Sequence, residues 1–139
     1  MFSDSIFVIA EVGVNHNGDT DLAKELCTRA KECGASAVKF QHFHTDEIIS
    51  KRAKLAKYQE RSKYKTQYDM VKSYELSDAQ ILDIVEHCKL IGVKFIATPF
   101  SQKALRFLVN EVKMDLIKVG SGEIINLPLL REIGKTGHP

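Results

Sequence analysis

Cysteine is scarce in this chain and is never set in a Cys-x-x-Cys spacing. Only Cys27, Cys33 and Cys88 occur, all in helical patterns. That argues against a disulfide framework or a cysteine zinc site, and it predicts reduced thiols in a cytoplasmic protein. An excess of one charge is missing too, since the formal net charge is +2. Such a balance supplies no general field for nucleic acid or for an anionic membrane, so any electrostatic role must be local. Long hydrophobic runs are also lacking. The N-terminal apolar stretch is short, lacks a basic leader and is broken by Glu11, so neither a signal peptide nor a membrane span is expected. What is present, 44% hydrophobic and 27% charged residues, is the composition of one globular domain.

The chain alternates strand and helix four times. The segments IFVIAEVGVN, SAVKFQHF, VKFIAT and DLIKVGSGE read as strands. Asp19 or Thr20 caps the first helix, whose apolar stripe is Leu22, Leu26, Ala30 and Cys33, with Gly34 as its stop. Ser77 and Gln80 form a capping box for a helix bearing Ile81, Ile84, Val85, Cys88 and Ile91, closed by Gly92. Ser101 caps a third helix with Leu105, Leu108, Val109 and Val112 turned inward, and Pro128 opens a last short one.

This order implies a parallel sheet with right-handed crossovers. A closed eight-unit barrel needs about 250 residues. The expected fold is therefore the first half of a (β/α)8 TIM barrel, with four parallel strands filling residues 1–139. The tail IGKTGHP reads as a helix end and a loop, with a fifth strand expected after it. A complete small doubly wound domain is the alternative. It gives no reason for so many charges at strand ends.

Those charges are the chemical content of the sequence. Glu11 and Asn15 end the first strand; Lys39 and Gln41 end the second. Thr98 ends the third, and Lys118, Ser121 and Glu123 follow the fourth. Period-two alternation puts Lys39 and Gln41 on one face, with Val38 and Phe40 on the other. Lys118 is likewise out of phase with Ile117 and Val119. Two ammonium groups facing one cavity repel unless an anion or a carboxylate lies between them. Glu11 and Glu123 fill that role in an empty site, and a phosphate or carboxylate ligand fills it in a loaded one. A Lys–Glu lattice holding the barrel together is the structural alternative. Gly120-Ser121-Gly122 adds backbone N–H groups that suit an anion.

His42 and His44 share a face, opposite Lys39 and Gln41, so a loop or packing role is expected there rather than ligation. His16 lies near the mouth, where it is expected to reach substrate, and His87 is expected on a helix surface. Residues 42–76 carry Lys51, Arg52, Lys54, Lys57, Arg61, Lys63 and Lys65 with Tyr58, Tyr64 and Tyr68 between them. This mixture occurs in single-strand nucleic-acid binders. A solvated helix and loop over the barrel mouth is the preferred reading, and a lid attracting an anionic sugar or phosphate lies between the two.

The motifs IAEVGVNHNGD, GASAVKFQHF, GVKFIATPFS and IKVGSGEIINLPLL resemble, in the same order, those of the sialic acid synthase family (N-acetylneuraminate and related nonulosonate synthases). The resemblance covers essentially the whole chain. It implies condensation of phosphoenolpyruvate with an open-chain N-acetylated hexosamine such as N-acetylmannosamine, giving a nonulosonate and phosphate for surface polysaccharide. Lys39, Thr98, Lys118 and Ser121 match the family's phosphoenolpyruvate contacts. Glu11 and Glu123 match its glutamates, and Gln41 lies where the sugar is expected. The resemblance further implies a divalent metal, manganese or magnesium, held by histidines of later strands. No metal ligand is thus expected within this chain. It also implies a C-terminal domain absent here, a homodimer for the intact enzyme, no nucleic-acid or membrane partner, and little activity for these residues alone. Two other readings stand beside it: a Schiff-base aldolase using Lys39 or Lys118, and a truncated half barrel that only binds anions or self-associates.

Overall fold

The computed structural model describes residues 6–55 and 63–139. In chain order they form β1 (Ile9–Gly13), α1 (Thr20–Glu32), β2 (Ala37–His42), α2 (Thr45–Ile48), α3 (Gln67–Lys72), α4 (Asp78–Ile91), β3 (Lys94–Pro99), α5 (Gln102–Asn110) and α6 (Leu127–Thr136). A 3-10 turn over Ser121–Ile125 precedes α6. The sheet is parallel, in the order β1-β2-β3.

Local chemistry starts and stops the helices where the sequence says. The Asp19 side chain accepts from the N–H groups of Asp21 and Leu22 at the head of α1. Ser77 and Gln80 make a reciprocal capping box on α4, and Gly92 ends that helix in the left-handed region. Ser101 caps α5 by accepting from the Ala104 N–H. Asn126 caps α6, with Pro128 in its first turn.

Alternation then sorts the strands. Val38 and Phe40 of β2 and Phe95 and Ala97 of β3 pack against the helices, where the Phe40 and Phe95 rings stack at 5.3 Å. Ile81, Ile84 and Cys88 of α4 meet Ala23 and Cys27 of α1 to complete this core, and all five are essentially buried. The three cysteines are free thiols, two of them in the core. Inward placement of Leu105 and Leu108 on α5 follows its apolar stripe, and Ala104 joins them.

The fourth predicted strand is a correction. Residues 115–119 run beside β3 but make a single bridge, Ala97 to Ile117. The Ile117 N–H donates to the Pro139 carbonyl at 2.9 Å, so a donor available to a ladder is used elsewhere. Among the described residues no further strand lies on that side to hold the segment extended. Three strands form where four were expected.

Candidate active site

Register brings the polar strand ends together. Glu11 of β1 is the direct partner of Lys39, and Gln41 is the partner of Thr98 on β3. Partners in a parallel ladder share a face, so these four groups line the face opposite the Phe40 core. Glu11 and Lys39 form an ion pair in which the lysine side chain is 13% exposed and the glutamate 51%. An irregularity between Glu11 and Gly13 breaks the β1 ladder there. It leaves Gly13 with φ +57°, so close that a methyl group would lie 3.0 Å from Glu11 Oε1 and 3.9 Å from Gln41 Nε2. Bulges of this kind re-aim side chains beside active sites. Thr98 is buried, and a methyl on Gly120 would lie 3.4 Å from its Cγ2. The start of the Gly-Ser-Gly turn therefore lies against the end of β3.

The groups beyond that turn are arranged less tightly. Lys118 is exposed and its ammonium donates to the adjacent Val119 carbonyl. Ser121 is exposed, and Glu123, half-buried, accepts from Asn126 Nδ2 at 2.7 Å. Glu11, Lys39, Gln41 and Thr98 thus form one constellation. Lys118 and Glu123 bond locally instead, with no ion pair between them among the described residues, and Ser121 is exposed.

Beside Gln41 lies a cavity of about 350 Å³ walled by Phe43, Ile48, Met70, Tyr74 and Phe100. Sequence reasoning missed it, because its walls come from α2, α3 and two strand ends that only the tertiary fold brings together. The segment over the mouth is tied down by its own polar groups. Tyr68 donates to Asp46 at 2.7 Å, and the Ser73 and Tyr64 hydroxyls are 2.7 Å apart. Thr45 donates to Glu75 through both its backbone N–H and its hydroxyl. Lys51 and Lys63 lie over the rings of Tyr68 and Tyr64, 5.8 and 5.3 Å from their centres. Tyr64 and Tyr68 are thus engaged by contacts within their own segment. Lys57, Tyr58 and Arg61 lie outside the described residues.

The histidines divide in an unexpected way. His16 is a correction: it is 1% exposed, stacks on Phe40 at 5.8 Å and accepts from the Gly18 N–H through Nδ1. Burial holds its pKa below the ordinary value, and it faces the core rather than substrate. His87 is half-buried, within 2.9 Å of the Thr28 hydroxyl, and links α4 to α1 instead of lying free on the surface. His42 is buried opposite Gln41, as alternation predicts, with its pKa pushed down to about 4, chiefly by loss of hydration. Together with His44 and Asp78 it makes the one cluster among the described residues with a metal-ligating composition. The His-x-His spacing at a strand end was the available signal. That cluster is on the helix side of β2, away from Glu11 and Lys39. Among the described residues, Glu11, Lys39, Gln41 and Thr98 at the mouth bring together no set of three histidine, cysteine or carboxylate ligands, and the Lys39 ammonium beside Glu11 does not suit a divalent cation.

A profile of the NeuB family matches residues 26–139. The chain belongs to the NeuB family. It is 43% identical to the N,N'-diacetyllegionaminic acid synthase of Legionella pneumophila over 139 residues, covering 99% of this chain and 39% of that protein. It is 34% identical to the N-acetylneuraminate-9-phosphate synthase of Homo sapiens, covering 96% of this chain and 37% of that protein. The solved N-acetylneuraminic acid synthetase from Leptospira borgpetersenii, in complex with citrate, superposes with a TM-score of 0.82 at 29% identity, covering 97% of this chain and 43% of that one. This NeuB chain thus spans about two-fifths of the length of the proteins it matches. Among its described residues, no helix is long and apolar enough to cross a membrane.

Proposed function

We propose that this NeuB-family chain is the N-terminal half of a barrel synthase domain that condenses phosphoenolpyruvate with an N-acetylated hexosamine. The products are a nonulosonate of the sialic or legionaminic type and inorganic phosphate, for surface polysaccharide. The observation that carries this reading is the Glu11–Lys39 pair with Gln41 and Thr98, on one face at the carboxyl ends of three parallel strands. Barrel enzymes assemble their active sites at that end. The half-barrel reading is supported by apolar residues left exposed on the described fold: Ile6, Phe7 and Val8 before β1, Ile124 and Ile125 before α6, and Leu127 at the start of α6.

In this reading Lys39 and Lys118 neutralise the phosphate and carboxylate of phosphoenolpyruvate, with Thr98 and Ser121 as hydroxyl donors. The enol carbon attacks the sugar aldehyde, forming the new C–C bond, and the aldehyde oxygen takes up a proton. Positive charge then develops at the carbon bearing the phosphate oxygen, where the carboxylates Glu11 and Glu123 stabilise it and orient a water. Water adds, loses a proton, and the C–O bond to phosphate breaks to leave the ketone. Gln41 borders both the pair and the apolar cavity, a place suited to an acyl methyl or a deoxygenated sugar carbon. The intact enzyme is read as a cytoplasmic homodimer whose manganese or magnesium is held by residues outside this chain.

The test is phosphate release from phosphoenolpyruvate by the full-length protein, with and without each sugar, beside Lys39→Met and Lys118→Met variants. Release that requires the sugar and collapses in both variants supports the reading. Release without sugar, or a keto-acid adduct trapped on either lysine by borohydride, overturns it.

A further inference from the structure

His42 and His44 are two residues apart at the end of β2, so the pleat turns both rings to the helix side, where α4 begins. Asp78, the first residue of α4, reaches back to meet them. Its Oδ1 lies 3.0 Å from His44 Nε2 and 3.2 Å from His42 Nε2. All three ligand atoms fall within 4.8 Å of one another. Bonds of about 2.0 Å at tetrahedral angles put neighbouring ligand atoms about 3.3 Å apart, and the two distances to Asp78 are close to that.

Hydrogen bonding alone does not account for the arrangement. His44 Nε2 makes a bond to Asp78. His42 Nε2 lies 3.2 Å from the same oxygen without making a hydrogen bond to it, and neither ring nitrogen of this 1%-exposed residue has a hydrogen-bond partner among the described residues. A buried imidazole with both nitrogens unpartnered is a poor arrangement for packing alone. His44 Nδ1 is likewise buried without a hydrogen-bond partner among the described residues, and Glu47 Oε2 lies 4.0 Å away, beyond hydrogen-bond distance. Asp78, 42% exposed, leaves a path from solvent.

We propose that His42, His44 and Asp78 bind a divalent transition-metal ion, zinc first among them, which clips together the two ends of the connection between β2 and α4. Two imidazoles and a carboxylate in tetrahedral spacing suit zinc and do not suit magnesium or calcium, which take oxygen ligands. His44 and Asp78 are 34 residues apart, so the ion closes the loop that carries α2 and α3. The site is independent of the synthase reading. It lies on the opposite face of β2 from Lys39 and Gln41.

The experiment uses the full-length protein, free of any purification tag and stripped with chelator, titrated with zinc by calorimetry beside His44→Gln and Asp78→Asn. Both changes are at partly exposed positions, and circular dichroism confirms that each variant is folded. The expected result is one more zinc bound by the wild type than by either variant, or affinity for that ion reduced at least ~10-fold. Zinc should also slow trypsin cleavage at Lys51, Arg52, Lys63 and Lys65 in the wild type and not in the variants. Equal zinc stoichiometry and affinity in all three proteins overturns the proposal. Should either variant fail to fold, the cobalt-substituted wild type decides. Intense visible bands of a four-coordinate ion, displaced by zinc, support the site, and their absence overturns it.

Discussion

Glu11 and Lys39 are register partners on adjacent parallel strands, and their side chains meet as an ion pair at the carboxyl ends of β1 and β2. Glu11 is half exposed, which makes the pair a weak source of stability, about 0–1 kcal/mol for exposed pairs. In the proposed function the same pair holds a lysine in place for an anion. Lys39→Met should therefore shift the denaturation midpoint little, while kcat/KM for phosphate release by the intact enzyme falls by at least ~10²-fold. Equilibrium unfolding and steady-state kinetics on one preparation check both halves. A large loss of stability with modest kinetic change would instead identify the pair as part of a structural lattice.

Gly18 carries the second prediction. Its φ is +78°, and a methyl group there would lie 2.4 Å from the Ser73 carbonyl oxygen. Its N–H also donates to His16 Nδ1 at 3.0 Å. The turn after β1 is in this way pressed against the backbone at the end of the lid. Gly18→Ala adds a left-handed strain of about 1–3 kcal/mol to a steric clash with main chain that has no free rotamer to give way. The expected outcome is a lower midpoint in urea and faster proteolysis near Ser73. An unchanged midpoint would mean the two loops do not touch.

Ser77 carries the third. Its hydroxyl accepts from the Gln80 N–H at 3.3 Å while Gln80 Oε1 accepts from the Ser77 N–H at 2.9 Å. Gln80 Nε2 then donates to the Thr20 hydroxyl at 2.9 Å, joining the heads of α4 and α1. Ser77→Ala should cost about 1 kcal/mol through the lost cap. Gln80→Ala should cost more, since it removes the reciprocal bond and the cross-link together. Thermal or chemical unfolding of the two variants gives the order directly.

These elements also show what was legible in the amino-acid order. Ser77, Gln80, Ser101 and Gly92 act through neighbours three or four residues away, so their roles can be read before any tertiary contact is known. Lys39 and Gln41 were placed on one face by alternation alone, and register confirms that face. The fourth strand was misread because residues 115–119 have strand-like apolar phase, yet a strand needs a ladder, and only one bridge forms. His16 was misplaced for a similar reason. Its neighbours Asn15 and Asn17 suggested an open mouth, whereas Phe40, 24 positions away, draws the ring into the core. Asp78 meeting His42 and His44 depends on where α4 docks, which no local pattern encodes.

The last prediction concerns acid. Glu75 lies at the end of the lid. Burial alone would raise its pKa, but hydrogen bonds from Lys72 and from both the N–H and the hydroxyl of Thr45 outweigh burial and hold it below the ordinary glutamate value. A carboxyl depressed in the folded state contributes stability that is fully present above its unfolded pKa, about 4.3, and is lost as pH falls through the folded value. Above pH ~6 the wild type should exceed Glu75→Gln by about 1.5–3 kcal/mol, the scale of hydrogen bonds to a charged group. Below pH ~4 that advantage should shrink towards zero as the carboxylate takes up its proton. Unfolding curves for both proteins across this range test the sign as well as the size. A difference that stays constant with pH would mean Glu75 acts by shape alone, and one that grows in acid would reverse the assignment.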